Sequence, residues 1–229
     1  MNGYNGSVLH IDLERKSWGK SVIPENILRN YIGGTGLAAW LLYAYCPAGI
    51  APYDPRNPLI FCTSPLVGTQ LTTSSKFAIA TKSPLTGFIG DSMSSSFLAT
   101  ELKATGYDAV LIKGMAESWT SLDITEEGVQ FLDANPSMGL TTFETERYMK
   151  NKLSKDHRIA CIGPAGENLV RYATISNDGG RQAGRTGTGA VMGSKNLKAI
   201  AFRGRKSVKT YNKDALQKLR KSLSKKSLG

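Results

Sequence analysis

The sequence predicts an α+β fold. Short apolar or alternating runs bounded by Gly and Pro recur along the chain, as strands do. Helical periodicity is confined to a few stretches scattered among them. The 229 residues are 41% hydrophobic and 21% charged, enough for a real core.

Taken in order, Ser7 to Leu13 alternates and reads as the first strand. Pro24 to Tyr31 reads as a short helix ended by Gly33-Gly34, and Leu37 to Tyr45 as a second, stopped before Pro47. Pro52, Pro55 and Pro58 mark a rigid loop before a buried strand at Leu59 to Cys62. Lys76 to Thr81 is a strand, Ser92 to Ser96 a small-residue loop, Phe97 to Ala104 a helix, and Tyr107 to Lys113 a strand. Ser121 to Leu132 reads as a hairpin around Glu127-Gly128, and Thr141 to Lys152 as an amphipathic helix. Strands are expected at Arg158 to Ile162, Val170 to Ser176 and Ala199 to Phe202. A last helix, Ala215 to Leu223, has Asp214 as its expected cap.

Ser64-Pro65-Leu66-Val67-Gly68-Thr69 is echoed by Ser83-Pro84-Leu85-Thr86-Gly87-Phe88, with one strand between. Coincidence and a sheet with similar halves both explain the echo.

Composition excludes several classes. No apolar run reaches the roughly 18 residues a membrane span needs, and the N-terminus lacks signal-peptide character, so a cytoplasmic protein is expected. Three cysteines, Cys46, Cys62 and Cys161, lie far apart in sequence, against a disulfide framework or a metal cluster made by this chain alone. Cys62 and Cys161 sit in apolar runs and read as buried. His10 and His157 are isolated, and neither a catalytic triad nor a carboxylate pair is indicated. The net charge of +11 comes mostly from residues 203–229, with ten Lys or Arg against Asp214. One aromatic, Tyr211, accompanies that charge, so a solvated linking helix is favoured over a nucleic-acid surface.

The densest signal runs from Asn177 to Ile200. Six glycines fall between Gly179 and Gly193, with Arg181 and Arg185 before a short helix and Lys195 and Lys198 after it. Glycines let backbone N–H groups converge, a helix N-terminus adds partial positive charge, and arginine grips phosphate bidentately. The expectation is a cradle for a phosphate-bearing ligand. It is not a P-loop, because five residues separate Gly187 from Gly193 and the order after them is Ser194-Lys195. Gly34-Thr-Gly36-Leu-Ala-Ala39 approaches a dinucleotide fingerprint but follows a predicted helix, where a true fingerprint follows a strand. Two hydroxyl-rich loops, Thr72 to Lys76 and Ser92 to Ser96, form a weaker second signal.

Several long motifs then carry a resemblance. Gly184-Arg185-x-Gly187-x-Gly189-Ala-Val-Met-Gly-Ser-Lys-Asn-Leu-Lys-Ala-Ile200 is similar to the hallmark of the aldehyde:ferredoxin oxidoreductase family. Ile162-Gly-Pro-Ala-Gly-Glu-Asn-Leu169, Thr81-Lys-Ser-Pro-Leu-Thr-Gly-Phe-Ile89, Glu101-Leu-Lys103 and Gly106-Tyr-Asp-Ala109 fit in the same order, over roughly residues 3–210.

The resemblance implies two six-stranded β-sheets related by a pseudo-twofold, with short helices. Residues 1–210 form a base for a bis-pterin tungsten (or molybdenum) cofactor, with magnesium bridging the pterin phosphates. Residues 211–229 become a basic link to a following helical domain. Carried over by position, cofactor-binding residues are Lys76, Met93, Ser94, Ser95, Arg181, Gln182, Ala183, Gly184 and Arg185. The backbone carbonyls of Met93 and Gln182 fall to magnesium. This sequence has Lys76 where the family commonly has arginine, Met93 for asparagine, Ser95 for glycine and Gln182 for alanine. The family oxidises aldehydes to carboxylic acids and reduces ferredoxin. Its [4Fe-4S] cluster ligands and substrate pocket lie in later domains, so this chain alone is expected to be inactive, with no catalytic residue of its own. Implied partners are the remaining domains or subunit, ferredoxin and, for some members, a second copy as a homodimer. The alternative is a degenerate, cofactor-free scaffold or interaction subunit of such an enzyme.

Overall fold

The computed structural model describes residues 1–227, and their strands form two six-stranded sheets. The first sheet's half contains β1 (Ser7–Asp12), β2 (Ser17–Val22), α1 (Glu25–Tyr31), α2 (Gly34–Tyr45), β3 (Leu59–Thr63), β4 (Lys76–Lys82), β5 (Ile89–Ser95), α3 (Phe97–Ala104) and β6 (Ala109–Lys113). The second contains β7 (Thr120–Ile124), β8 (Val129–Asp133), α4 (Thr142–Lys152), β9 (Arg158–Cys161), α5 (Pro164–Glu167), β10 (Ile175–Asn177), β11 (Arg181–Ala183), α6 (Thr188–Ser194) and β12 (Leu197–Phe202). A basic helix, α7 (Lys213–Ser227), follows.

The strand orders are β2-β1-β6-β3-β4-β5 and β11-β10-β9-β12-β7-β8. Read from its other end, the second order is the first with every label raised by six. Each sheet has one parallel pairing, β1 with β6 and β7 with β12, and its other neighbours are antiparallel. The chain therefore builds one plan twice, as the pseudo-twofold requires. The repeat is faintly legible in sequence: Ala109-Val-Leu-Ile-Lys-Gly114 answers Ala199-Ile-Ala-Phe-Arg-Gly204. The Ser64 and Ser83 echo is a different matter. Both turns flank β4 within one sheet, so they are not repeat partners.

Strand alternation divides the apolar residues into layers. Leu9, Ile11, Phe61, Phe77 and Val110 meet Leu122, Ala160, Ile175, Ile200 and Phe202 between the sheets. The alternate residues Val8, Ile60, Cys62 and Leu111 face α1 and α2 on one outer side. Ile159, Cys161, Ala199 and Ala201 face Met149 of α4 on the other. Burying these side chains, at roughly 1.5–3 kcal/mol for each large one, is the main favourable term. The capping box of α4, Thr141 with Glu144, sets where that helix begins.

Several boundaries differ from expectation. β2 escapes sequence prediction, because its residues are nearly all exposed and carry no apolar alternation. Ser92 to Ser95 is strand rather than loop: Ser92 and Ser94 are buried on β5, and Asp91 and Met93 alternate with them on the exposed side. Val170 to Thr174 is not strand, and only Ile175–Asn177 pairs. The cap of α7 is Asn212, whose Oδ1 accepts from Ala215 N at 2.9 Å, while Asp214 lies in the first turn. No helix among the described residues is long and apolar enough to cross a membrane.

Candidate functional site

β5 and β11 are repeat-equivalent edge strands, and they lie side by side where the two sheets meet. Side chains close this seam. Arg185 N donates to Ser92 Oγ at 2.9 Å, Ser83 Oγ to the Thr186 carbonyl at 2.7 Å, and Thr186 Oγ1 to the Asp91 carbonyl at 3.2 Å. Ser94 Oγ donates to Asn177 Oδ1 at 3.1 Å across the buried interior. Gly90 permits the approach, since a Cβ there would stand 2.8 Å from Thr186 Oγ1 and 2.9 Å from Ser83 Cβ.

The turn from β10 to β11 is held on three sides. Asp178 Oδ2 accepts from Leu98 N at 3.0 Å, so the second sheet's turn supports the first turn of α3, which Ser96 also caps. Glu146 Oε2 accepts from Gly179 N at 2.8 Å. Arg158 lies 5.3 Å over the Phe97 ring and 4.0 Å from Asp178.

These contacts place the sequence-predicted residues together. Lys76 pairs in register with Ser95 and Ala78 with Met93 on the first sheet; Gln182 pairs with Ser176 and Ala183 with Ile175 on the second. The inward residues Phe77 and Ile175 align the halves, because they face Ser94 and Ala183 respectively. Met93 is then equivalent to Gln182, Ser94 to Ala183, Ser95 to Gly184, and Lys76 to Thr174.

Lys76, Arg181 and Arg185 are exposed, and none makes an ion pair among the described residues. Met93 is 56% exposed. Ser94 and Ala183 are buried as whole residues, main chain included. Gln182's amide is occupied within its own hairpin, by Thr174 Oγ1 at 2.5 Å and Ser176 Oγ at 2.9 Å. Gly184 leaves space, since a Cβ there would meet nothing nearer than Thr174 Cγ2 at 3.5 Å.

The later part of the glycine-rich run does something else. α6 is seven residues long with a buried N-terminus, and Gly189 N donates to the Ala173 carbonyl at 3.0 Å. A Cβ on Gly187 would come within 1.9 Å of Arg171 O, on Gly189 within 2.4 Å of Thr174 O, and on Gly193 within 2.0 Å of Gly166 O. These glycines admit backbone against backbone; they are not an open anion cradle. Lys195 and Lys198 are buried as well. Lys195 Nζ donates to Pro55 O at 3.0 Å, and Lys198 forms an ion pair with Glu167. The expected cradle therefore shrinks to its first residues, up to Thr186.

The remaining candidates stay structural. Burial pushes the thiols of Cys62 and Cys161 up to about 12. His10 contacts Ser21 Oγ at 2.7 Å, and burial, with Lys113 nearby, lowers its pKa. His157 is buried 3.2 Å from Asp123, whose carboxyl is raised by burial against the opposing pull of His157. Sequence reasoning had Ser83, Ser92 and Asn177 within its motifs but gave none of them, nor Asp178, a part in closing the seam. For Ser92 and Asn177 the signal is a polar side chain at a strand position that alternation buries.

The model of "Aldehyde ferredoxin oxidoreductase, N-terminal domain" matches residues 8–204, from β1 through β12. The chain belongs to the aldehyde ferredoxin oxidoreductase family.

Within that family it is 40% identical to a tungsten-containing aldehyde ferredoxin oxidoreductase of Pyrococcus horikoshii, over 96% of this chain and 38% of that protein. It is 34% identical to the WOR-like subunit of an aliphatic sulfonate oxidoreductase of Pyrococcus furiosus, over 96% of this chain and 38% of that subunit. Among solved structures, the active-site complex BamBC of benzoyl coenzyme A reductase, bound to 1,5-dienoyl-CoA, matches at a TM-score of 0.87 and 36% identity. That match covers 90% of this chain and 32% of the other. The chain thus spans about a third of these relatives' length. Their names cover unlike substrates.

Proposed function

We propose that the β5–β11 seam holds the pterin phosphates of a tungstopterin (or molybdopterin) cofactor. One observation carries this reading: Lys76, paired in register with Ser95 of β5, and Arg181 and Arg185, on and just after β11, are exposed cations with no carboxylate partner among the described residues. A phosphate-bearing group suits that donor set, because exposed Lys and Arg without counter-ions bind phosphate by charge-assisted hydrogen bonds. Gly184 adds room for close approach. When bound, the cofactor supplies the redox chemistry.

The protein's own part is binding and orientation. Arg181 and Arg185 offer planar forks, and Lys76 offers a point charge. The carbonyls of Met93 and Gln182 would hold a magnesium ion, whose charge would offset that of the phosphates. Gln182 suits this role because its side chain is already engaged. Residues 1–210 act as the base, and 211–229 as the basic link beyond it. Aldehyde oxidation to carboxylic acid, the [4Fe-4S] cluster, ferredoxin reduction and any homodimer contact are assigned to the longer protein.

The test is metal analysis and pterin fluorescence on the full-length protein, purified anaerobically. Pterin together with tungsten or molybdenum is expected. Absence of all three sinks the reading and leaves a cofactor-free scaffold.

A further inference from the structure

Asn177 stands where the fold calls for an apolar side chain. It follows Ile175 by two positions in β10, so both point between the sheets, and it is fully buried there. Its counterpart in β4 is Ile79, part of the central core. A buried amide carries a desolvation penalty unless its polar atoms are bonded. Asn177 Oδ1 accepts from Ser94 Oγ at 3.1 Å, but Nδ2 has no partner among the described residues. An apolar pair would serve stability better. What a hydrogen bond supplies instead is a narrow range of distance and angle.

That constraint falls on a specific spacing. Ser94 precedes Ser95 and follows Met93 on β5, while Asn177 pairs in register with Arg181 on β11. Asp178, next along, supports α3 through Leu98 N. We propose that Asn177 is a positioning residue: its hydrogen bond to Ser94 sets the separation of β5 from β11, and with it the placement of Met93 relative to Gln182. This rests on the cofactor reading of the seam.

The experiment compares full-length, anaerobically purified protein with Asn177→Leu, Ser94→Ala and the double variant. Pterin release after dilution is followed by fluorescence, and the thermal midpoint is measured alongside. Each single variant is expected to release about 3- to 10-fold faster. The double variant should release no faster than the worse single, because both remove one interaction. Phe202→Leu, in the same layer but on β12, controls for loosened packing: its midpoint falls and its release rate holds. Should Asn177→Leu fail to fold, Ser94→Ala against Phe202→Leu carries the comparison.

Additive single effects, unchanged release in both variants, or equal acceleration by Phe202→Leu overturn the proposal. Wild-type protein lacking pterin overturns the cofactor reading instead. Crystal structures of the wild-type and variant proteins then decide the spacing, and an unchanged β5–β11 separation overturns the positioning role.

Discussion

Met93 on β5 and Gln182 on β11 occupy one position of a structural repeat, met once in each sheet. Their side chains are unlike, so whatever the two halves share at this position rests on the main chain. The neighbouring pairs are unequal too: Lys76 answers Thr174, and Ser95 answers Gly184. The repeat supplies a symmetric frame, and the side chains make its two halves chemically different.

That asymmetry makes Lys76 the cation contributed by the first half. Lys76→Met is expected to speed pterin loss from the full-length protein by about tenfold. Lys76→Arg should retain pterin at least as well as the wild type, because the fork adds a second donor. Pterin-to-protein ratios through repeated dialysis check both.

Glycines in one run should behave in opposite ways. Gly193→Ala forces a Cβ to within 2.0 Å of a backbone oxygen and is expected to cost about 3 kcal/mol or more. Gly184→Ala meets its nearest atom at 3.5 Å and should stay within about 0.5 kcal/mol of the wild type. Denaturant unfolding of the two variants separates packing glycine from site glycine.

Lys195 predicts a pH dependence. Burial pushes its ammonium down to about 7 from the ordinary 10.5, against the weaker opposing pull of Asp54. Between those values the unfolded chain binds a proton here that the folded chain does not. Stability therefore rises with pH across that window and levels off below it. Denaturant midpoints at pH 6, 7 and about 9 should show this slope in the wild type and a flatter one in Lys195→Met. Parallel slopes in the two proteins would show that Lys195 titrates normally.

The buried pair Lys103 and Asp108 ties the N-terminal strand to α3. Asp108 also accepts from Asn5 N at 3.2 Å and Gly6 N at 2.6 Å. Lys103→Met leaves that carboxylate buried beside only main-chain donors, and is expected to cost about 3–5 kcal/mol. Chemical unfolding measures it, and a loss below about 1 kcal/mol would rule the pair out as a major tie.

Much of the candidate site is legible without the fold. Arg181, Gln182, Gly184 and Arg185 lie in a motif dense enough to notice, and Lys76 and Met93 follow from position within a family pattern. β2 is invisible because an exposed edge strand has no apolar period to betray it. Ser94 and Asn177 both fall within the sequence signals, but their hydrogen bond to each other is not legible, because they lie 83 residues apart. Lys195 and Lys198 read in sequence as free charge beside the loop, because the carbonyls and the carboxylate that accommodate them are distant along the chain.

Local pattern alone determined the α+β class and most helix and strand positions, because propensity and hydrophobic period act over a few neighbours; the candidate site residues came from the family resemblance. The family resemblance already implied that the chain repeats its plan, but only the tertiary structure decided that β5 meets β11. It also decided that α6 is packed by its glycines and opens no cradle. Each of these depends on contacts between segments tens of residues apart. Such contacts form when two layers bury a common face, and no local period records them.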